Sequence, residues 1–307
     1  MSAKNLFLTL ARILLLVIVY VILEMVVGAV ISIDLPPLPD EKMPAVFLGL
    51  FIVALVDTLI VAVIITRSRW HGWKLTLGLG VALFGVMAVM SQIETIYFAP
   101  ALGVDPVLGW IVLLQDLIKV VVFVPLAVLL FGKMRGAPGD EPNELVMMPV
   151  IQWVWKLALI AVVYVVLYFV FGYFVAWQNP ALRTMYSGGA NQAVFNPLQM
   201  LVLQLGRGVL WALFTIPVIR MLRAKPWIAA VILGLFLALP MNIVHAVPNT
   251  LMPDPTVRLS HFIETSTSNF LFGLVIYWLL HRKHMSIADL FGPSEKREST
   301  TLKMAGD

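Results

Sequence analysis

The chain has 307 residues, 61% of them hydrophobic and only 12% charged, with a mean hydropathy of +0.95; a soluble domain is about half apolar and about a quarter charged, so no soluble packing arrangement would hide this surface. The net charge of +4 is accounted for by lysines and arginines flanking apolar runs, the use a bilayer gives them, and no nucleic-acid partner is expected. With no cysteine, a disulfide framework, a thiolate nucleophile and a cysteine-ligated metal are all excluded.

Apolar runs recur along nearly the whole chain, and most reach the roughly 20 residues that cross a bilayer as a helix. They are too long and too uniformly apolar for the alternating strands of an outer-membrane barrel. The predicted fold is therefore an all-α polytopic bundle with eight transmembrane helices, at 6–33, 44–66, 74–98, 107–131, 150–177, 198–220, 227–247 and 257–281.

In chain order, the first run carries Glu24 and exceeds a signal-peptide core, so it is expected to be retained; Pro36, Pro37 and Pro39 follow it. Asp57 lies in the second run, Gln92 and Glu94 in the third, and Gln115, Asp116 and Lys119 in the fourth. Residues 134–149, rich in Gly, Pro and acid, form a polar linker. The fifth run has no ionisable residue at membrane depth. The connection after it, including Ser187 to Gln192, is expected to be a plain connector. The sixth run carries Gln204 and Arg207, the seventh Asn242 and His245, and the eighth His261 and Glu264 followed by a hydroxyl-rich turn from Thr265 to Asn269. Pro125, Pro217 and Pro240 fall inside runs and should kink or open those helices. Residues 284–307 form a polar tail.

Orientation follows from the flanks. Lys4, Arg12, Arg67, Arg69, Lys74, Lys133, Arg135, Lys156, Arg220, Arg223, Lys225, Arg282 and Lys283 all fall on one side, while the other side has only Lys42, Arg183 and Arg258. Cations near helix ends are retained on the cytoplasmic side, which puts both termini in the cytoplasm of a cell-membrane protein. A shift of 145 to 150 residues brings the halves into register: Val19 to Leu23 with Gly28 matches Val163 to Leu167 with Gly172, and Asp105 and Pro106 match Asp254 and Pro255. This predicts a tandem repeat of two four-helix units, 1–133 and 150–283. An even number of helices per unit makes the repeat parallel, an arrangement whose interface houses the substrate site in some transporters.

Ionisable groups at membrane depth are costly and line bundle interiors, sites or water-filled cavities. The candidates for a polar cavity are Glu94, Asn242, His245, His261, Glu264, Arg207, Asp57, Asp116 and Lys119. Counting the helical rise places Glu94, Asn242, His245, His261 and Glu264 in the outer third, so a cavity reached from outside is expected. His261 and Glu264, like Asn242 and His245, are three apart and share a helix face. Asp116 with Lys119, and Asp57 with Arg207, are expected to neutralise each other. No His-Glu-x-x-His zinc run and no Gly-x-Ser-x-Gly nucleophile elbow is present. The Glu-Glu-x-x-x-Arg pair of intramembrane glutamate proteases is also missing, and no metal or cofactor is expected. The leading expectation is permease-like handling of a small solute or ion between the repeats, with the lipid bilayer as the surrounding partner. The alternatives are an intramembrane enzyme acting on a lipid or lipid-linked substrate through His and Glu, and a non-catalytic membrane scaffold subunit. Substrate and oligomeric state are not written in the sequence.

Overall fold

A computed structural model describes residues 3–33, 37–136, 148–186, 196–284 and 288–290. The described chain is helical throughout, apart from one antiparallel bridge between Ser68 and Leu222. Ten α-helices follow one another: α1 (Ala3–Val30), α2 (Met43–Thr66), α3 (Gly72–Phe84), α4 (Met90–Leu102), α5 (Val107–Leu130), α6 (Val150–Phe174), α7 (Pro180–Tyr186), α8 (Pro197–Met221), α9 (Pro226–Ala238) and α10 (Pro255–Leu280).

Six segments are long and apolar enough to cross a membrane: Lys4–Val30, Asp40–Thr66, Gly72–Pro100, Val107–Leu130, Val150–Gln178 and Pro197–Met221. Their surfaces fit a membrane-embedded chain. Phe7, Leu14 and Ile22 on α1, and Val162, Val166 and Phe169 on α6, are between 49% and 70% exposed, an apolar face that water would not tolerate. The third of these segments is continuous: α3 passes into α4 through a π-helical turn, Gly85–Val89, the kind of single-turn insertion that re-aims the side chains beyond it.

The predicted seventh run, 227–247, is not one helix. Its α-helical part, α9, has 13 residues, about 20 Å at 1.5 Å per residue, and a short 3-10 turn, Ile243–Ala246, comes after the break. Pro240 supplies the reason, because it has no N–H to donate and its ring crowds the carbonyl four residues earlier. The irregular backbone is satisfied locally: the amides of Asn242 and Ile243 bond to Leu239 O at 2.9 and 2.8 Å, and those of His245 and Val247 to Asn242 O and Val244 O at 3.0 and 2.9 Å. α5 and α8 run through Pro125 and Pro217. The connection after α6 contains α7, so it is more than a plain connector; Ser187 to Gln192, most of the linker and most of the tail lie outside the described residues.

One continuous core joins all the long helices, with Trp211, Phe123, Phe236 and Phe272 fully buried. α9 and α10 approach closely enough that a Cβ on Gly273 would lie 2.6 Å from the Gly234 Cα. α6 and α8 are equally tight, since a Cβ on Gly208 would lie 2.8 Å from the Ala161 Cα. α10 starts at a formed cap, where Asp254 Oδ1 accepts from the Thr256 amide at 2.7 Å and its hydroxyl at 2.8 Å. These bonds, the hydroxyl's first, hold the Asp254 carboxyl below its ordinary range.

The basic loops are joined at one end of the bundle. Beside the Ser68 and Leu222 bridge, the amide of Arg69 donates to Met221 O and that of Arg223 to Arg67 O, both at 2.8 Å, and Lys133 Nζ donates to Ser68 O at 2.9 Å. The start of α6 is tied to the chain after α10: Lys156 Nζ donates to Arg282 O at 2.9 Å, and Gln152 exchanges two hydrogen bonds with the His284 backbone.

Candidate functional site

Two polar networks occupy the bundle interior. The first belongs to α1, α2 and α5. Lys119 Nζ lies 2.7 Å from Glu24 Oε1 and 2.6 Å from Asp116 Oδ1. One turn before Glu24, the Tyr20 hydroxyl donates to Asp57 Oδ2 at 2.8 Å. The expected pairing of Asp116 with Lys119 is present, and Glu24 joins it. The expected pairing of Asp57 with Arg207 is not: Asp57 is held by Tyr20, and its other oxygen has no partner among the described residues. The reason is geometric, because α4, not α2, brings a carboxylate against Arg207.

The second network belongs to α4, α8 and α10. Arg207, 2% exposed, donates from Nη2 to Glu94 Oε2 at 2.9 Å and to Met90 O at 3.1 Å, and from Nη1 to Gln204 Oε1 at 2.9 Å. Its guanidinium carbon also stands 5.6 Å from the Tyr164 ring centroid, within range of a cation–π contact. The π-turn lies immediately before this corner and sets the rotation of α4, so that Met90 O and Glu94 both face α8. On α10, His261 Nδ1 is 3.0 Å from Glu264 Oε2, the i,i+3 contact expected from the spacing.

These groups line a cavity of about 590 Å³ among α4, α6, α8 and α10. That size is within the range of small-molecule sites. Along α10, His261, Glu264, Thr265, Ser268 and Phe272 face it, an i, i+3, i+4, i+7, i+11 series on one helix face. From α6 come Tyr164, Tyr168 and Gly172, one turn apart. The walls are mostly apolar, with seven aromatic side chains among the twenty that line the cavity, and the charged groups are Glu94, Arg207, His261 and Glu264. Trp177 and Tyr173, 46% and 62% exposed, line it where α6 ends and α8 begins, away from the loops that carry the basic residues.

Comparison with known families, with characterised proteins and with solved structures returns no match.

Of the nine candidates, the fold brings Glu94, Arg207, His261 and Glu264 to this cavity. His245 stands just behind it, its ring 4.7 Å from the His261 ring, edge to face. Asn242 does not face the cavity; its Nδ2 donates to Ala238 O at 2.7 Å, closing the broken end of α9. Asp57, Asp116 and Lys119 lie in the first network. The residues that sequence reasoning missed are the aromatic walls. Tyr164 and Tyr168 sit in an apolar run with nothing to mark them, and Trp177 falls at a span end, where interfacial anchoring also places tryptophan. The hydroxyl-rich turn of α10 contributes Thr265, Ser268 and Asn269 to the lining. No group of three or more metal-ligating side chains occurs among the described residues.

Proposed function

We propose that this chain is a permease-like multi-pass membrane protein that binds a small solute in the cavity bounded by Glu94, Arg207, His261 and Glu264. The observation that carries the reading is the cavity itself: mostly apolar walls, a few convergent polar groups, and the exposed Tyr173 and Trp177 on its lining at the end of the bundle away from the basic loops. This is the form that small-molecule sites take.

In this reading the chain crosses the bilayer eight times, with both termini cytoplasmic and the cavity open to the outside. Support for the two further crossings comes from α10, whose 26 residues reach about 39 Å and turn their polar groups to the cavity rather than to lipid. It also comes from the break after α9, whose amides at Asn242, Ile243, His245 and Val247 find local partners, since backbone at membrane depth must be satisfied within the protein. Basic loops gathered at one end support the orientation.

A tandem parallel repeat is supported by contacts that recur with the two halves exchanged. Tyr20 meets Phe123 edge to face at 5.3 Å, and Tyr164 meets Phe272 at 5.0 Å. α1 packs on α2 and α5 as α6 packs on α8 and α10. The corresponding loops at Ser68 and Leu222 pair antiparallel with each other, as a two-fold axis along the membrane normal requires. In that frame Asp57 and Arg207 hold equivalent places, and the second unit, completed by α4 of the first, carries the cavity.

The test is a thermal-shift screen of the purified protein against small organic solutes, repeated on Gly172→Trp. A Cβ at Gly172 meets nothing within 4 Å, so the indole would fill the cavity from a tolerant position. A compound that raises Tm in the wild type but not in Gly172→Trp, and that crosses proteoliposomes containing the wild type, is the expected result. No such compound, or stabilisation that survives Gly172→Trp, would contradict the reading.

One observation favours a second reading, an intramembrane enzyme. His261 is held through Nδ1 by Glu264, which fixes the ring and leaves Nε2 as a base. For an enzyme, His261→Gln abolishes turnover of a lipid or lipid-linked substrate while the cavity still binds it; a permease keeps its solute chemically unchanged.

A further inference from the structure

We infer that the cavity takes an organic cation, an ammonium or phosphonium group carried on an apolar body, an assignment of ligand class that rests on the solute-site reading above. The polar end of the cavity contains one guanidinium, and it is held back from a ligand. Arg207 is 2% exposed, its terminal nitrogens are bonded to Glu94, Met90 O and Gln204, and its Nε, without a partner among the described residues, is sealed from the cavity. While His261 is neutral, an anion entering the cavity would meet no available cation there.

The groups that remain reachable are two carboxylates and an imidazole. The Glu94 side chain is 22% exposed, that of Glu264 10% and that of His261 19%, and each carboxylate makes its ion pair through Oε2 alone. With both carboxylates ionised, they and the guanidinium sum to one negative charge when His261 is neutral and to zero when it is protonated, so neither state gives the site a net positive charge. The same cavity is lined by the rings of Tyr168 and Phe272. An aromatic ring attracts a cation and gains most where water is excluded, while the same rings bury an apolar body. Carboxylates in one cavity with aromatic rings, with the guanidinium held in its ion pair, make a surface complementary to a soft organic cation and repulsive to an organic anion.

Two probes of nearly the same size and shape and opposite charge test this: tetraphenylphosphonium and tetraphenylborate. Each is measured by equilibrium dialysis against the purified full chain in non-ionic detergent, with partition into empty micelles subtracted. The expected result is that tetraphenylphosphonium binds the wild type, and that Glu264→Gln and Thr265→Lys each weaken it at least about tenfold while eluting as folded protein in gel filtration. Tetraphenylborate should not bind above the micelle blank. Thr265→Lys adds a cation at the polar end without removing a member of either ion pair, so the test stands even if Glu264→Gln loses its fold. Gly172→Trp separates the two possible failures. If tetraphenylborate binds as tightly as the phosphonium, or Thr265→Lys leaves phosphonium affinity unchanged, and Gly172→Trp still abolishes binding, the cavity is a solute site and the cation assignment is wrong. If neither probe responds to Gly172→Trp, the cavity reading fails and the cation assignment fails with it.

Discussion

At the scale of single residues, the ion pair of Arg207 with Glu94 is the most consequential contact in the second network, because it neutralises a guanidinium that is otherwise sealed from water. Removing one partner of a buried pair leaves a charge without compensation, a loss of about 3–5 kcal/mol, whereas removing both can come close to neutral. Glu94→Gln and Arg207→Met are therefore each expected to lower thermal stability in detergent markedly, and the double variant to recover a large part of the loss, a coupling that a double-mutant cycle reads directly. Independent destabilisation by the two changes would show that the pair is not coupled. Sequence reasoning reached Glu94 and Arg207 separately but matched Arg207 with Asp57, since contacts between helices depend on their rotation and register, which apolar runs do not encode visibly. His261 and Glu264 were legible as a pair because both lie on one helix face, where spacing alone decides contact.

His284 gives a pH dependence outside the membrane-spanning segments. It is 3% exposed, and neither ring nitrogen has a hydrogen-bond partner among the described residues. Burial, with Lys156, Arg282 and His281 nearby and only Asp289 opposing, pushes its pKa down to about 4. The folded state thus resists a proton that the unfolded chain accepts near pH 6.5. Its stabilising contribution is complete above that value and is lost as pH falls toward about 4. Thermal unfolding of the wild type and of His284→Gln should run in parallel above pH 6.5, with the wild type falling faster below it. Identical slopes between pH 4 and 6.5 would contradict this.

At the scale of elements, two irregularities shape the site. The π-turn between α3 and α4 turns Glu94 toward α8, and no proline or polar insertion in 85–89 announces it; the turn is settled by packing. The break after α9 was legible in Pro240, yet the run still read as one span because hydropathy averages over a kink. Close crossings also operate at this scale. A Cβ on Gly273 would collide with the backbone of Gly234, and neither backbone can yield as a flexible side chain would. Gly273→Val is expected to cost about 1–3 kcal/mol through overpacking, seen as a lower Tm. A shift no larger than that of Gly172→Ala, where a Cβ meets nothing within 4 Å, would show that the crossing is less tight than drawn.

For the whole molecule, the proposal joins a parallel repeat, a basic end and a cavity at the opposite end. The proposed repeat draws on faint sequence matches, and Tyr20 on Phe123 and Tyr164 on Phe272 give each half a similar contact. The cavity was readable only as an excess of polar residues toward one side of the bundle. Its aromatic walls were invisible, since a tyrosine that faces lipid and one that faces a cavity occupy the same run. Differences between the networks carry the functional weight: in the first, Lys119 sits between Glu24 and Asp116, whereas in the second Glu94 and Glu264 line the cavity.

Because the chain has no native cysteine, single cysteines can be read without background. Thr265→Cys and Met200→Cys, both at the cavity lining, with Lys225→Cys at an exposed position of the basic end, should be exposed to a membrane-impermeant thiol reagent on intact cells and on inverted vesicles. The two cavity positions are expected to react on intact cells and Lys225→Cys to react only in inverted vesicles. Reaction of Thr265→Cys and Met200→Cys only in inverted vesicles would contradict an outward-opening cavity and the orientation on which it rests.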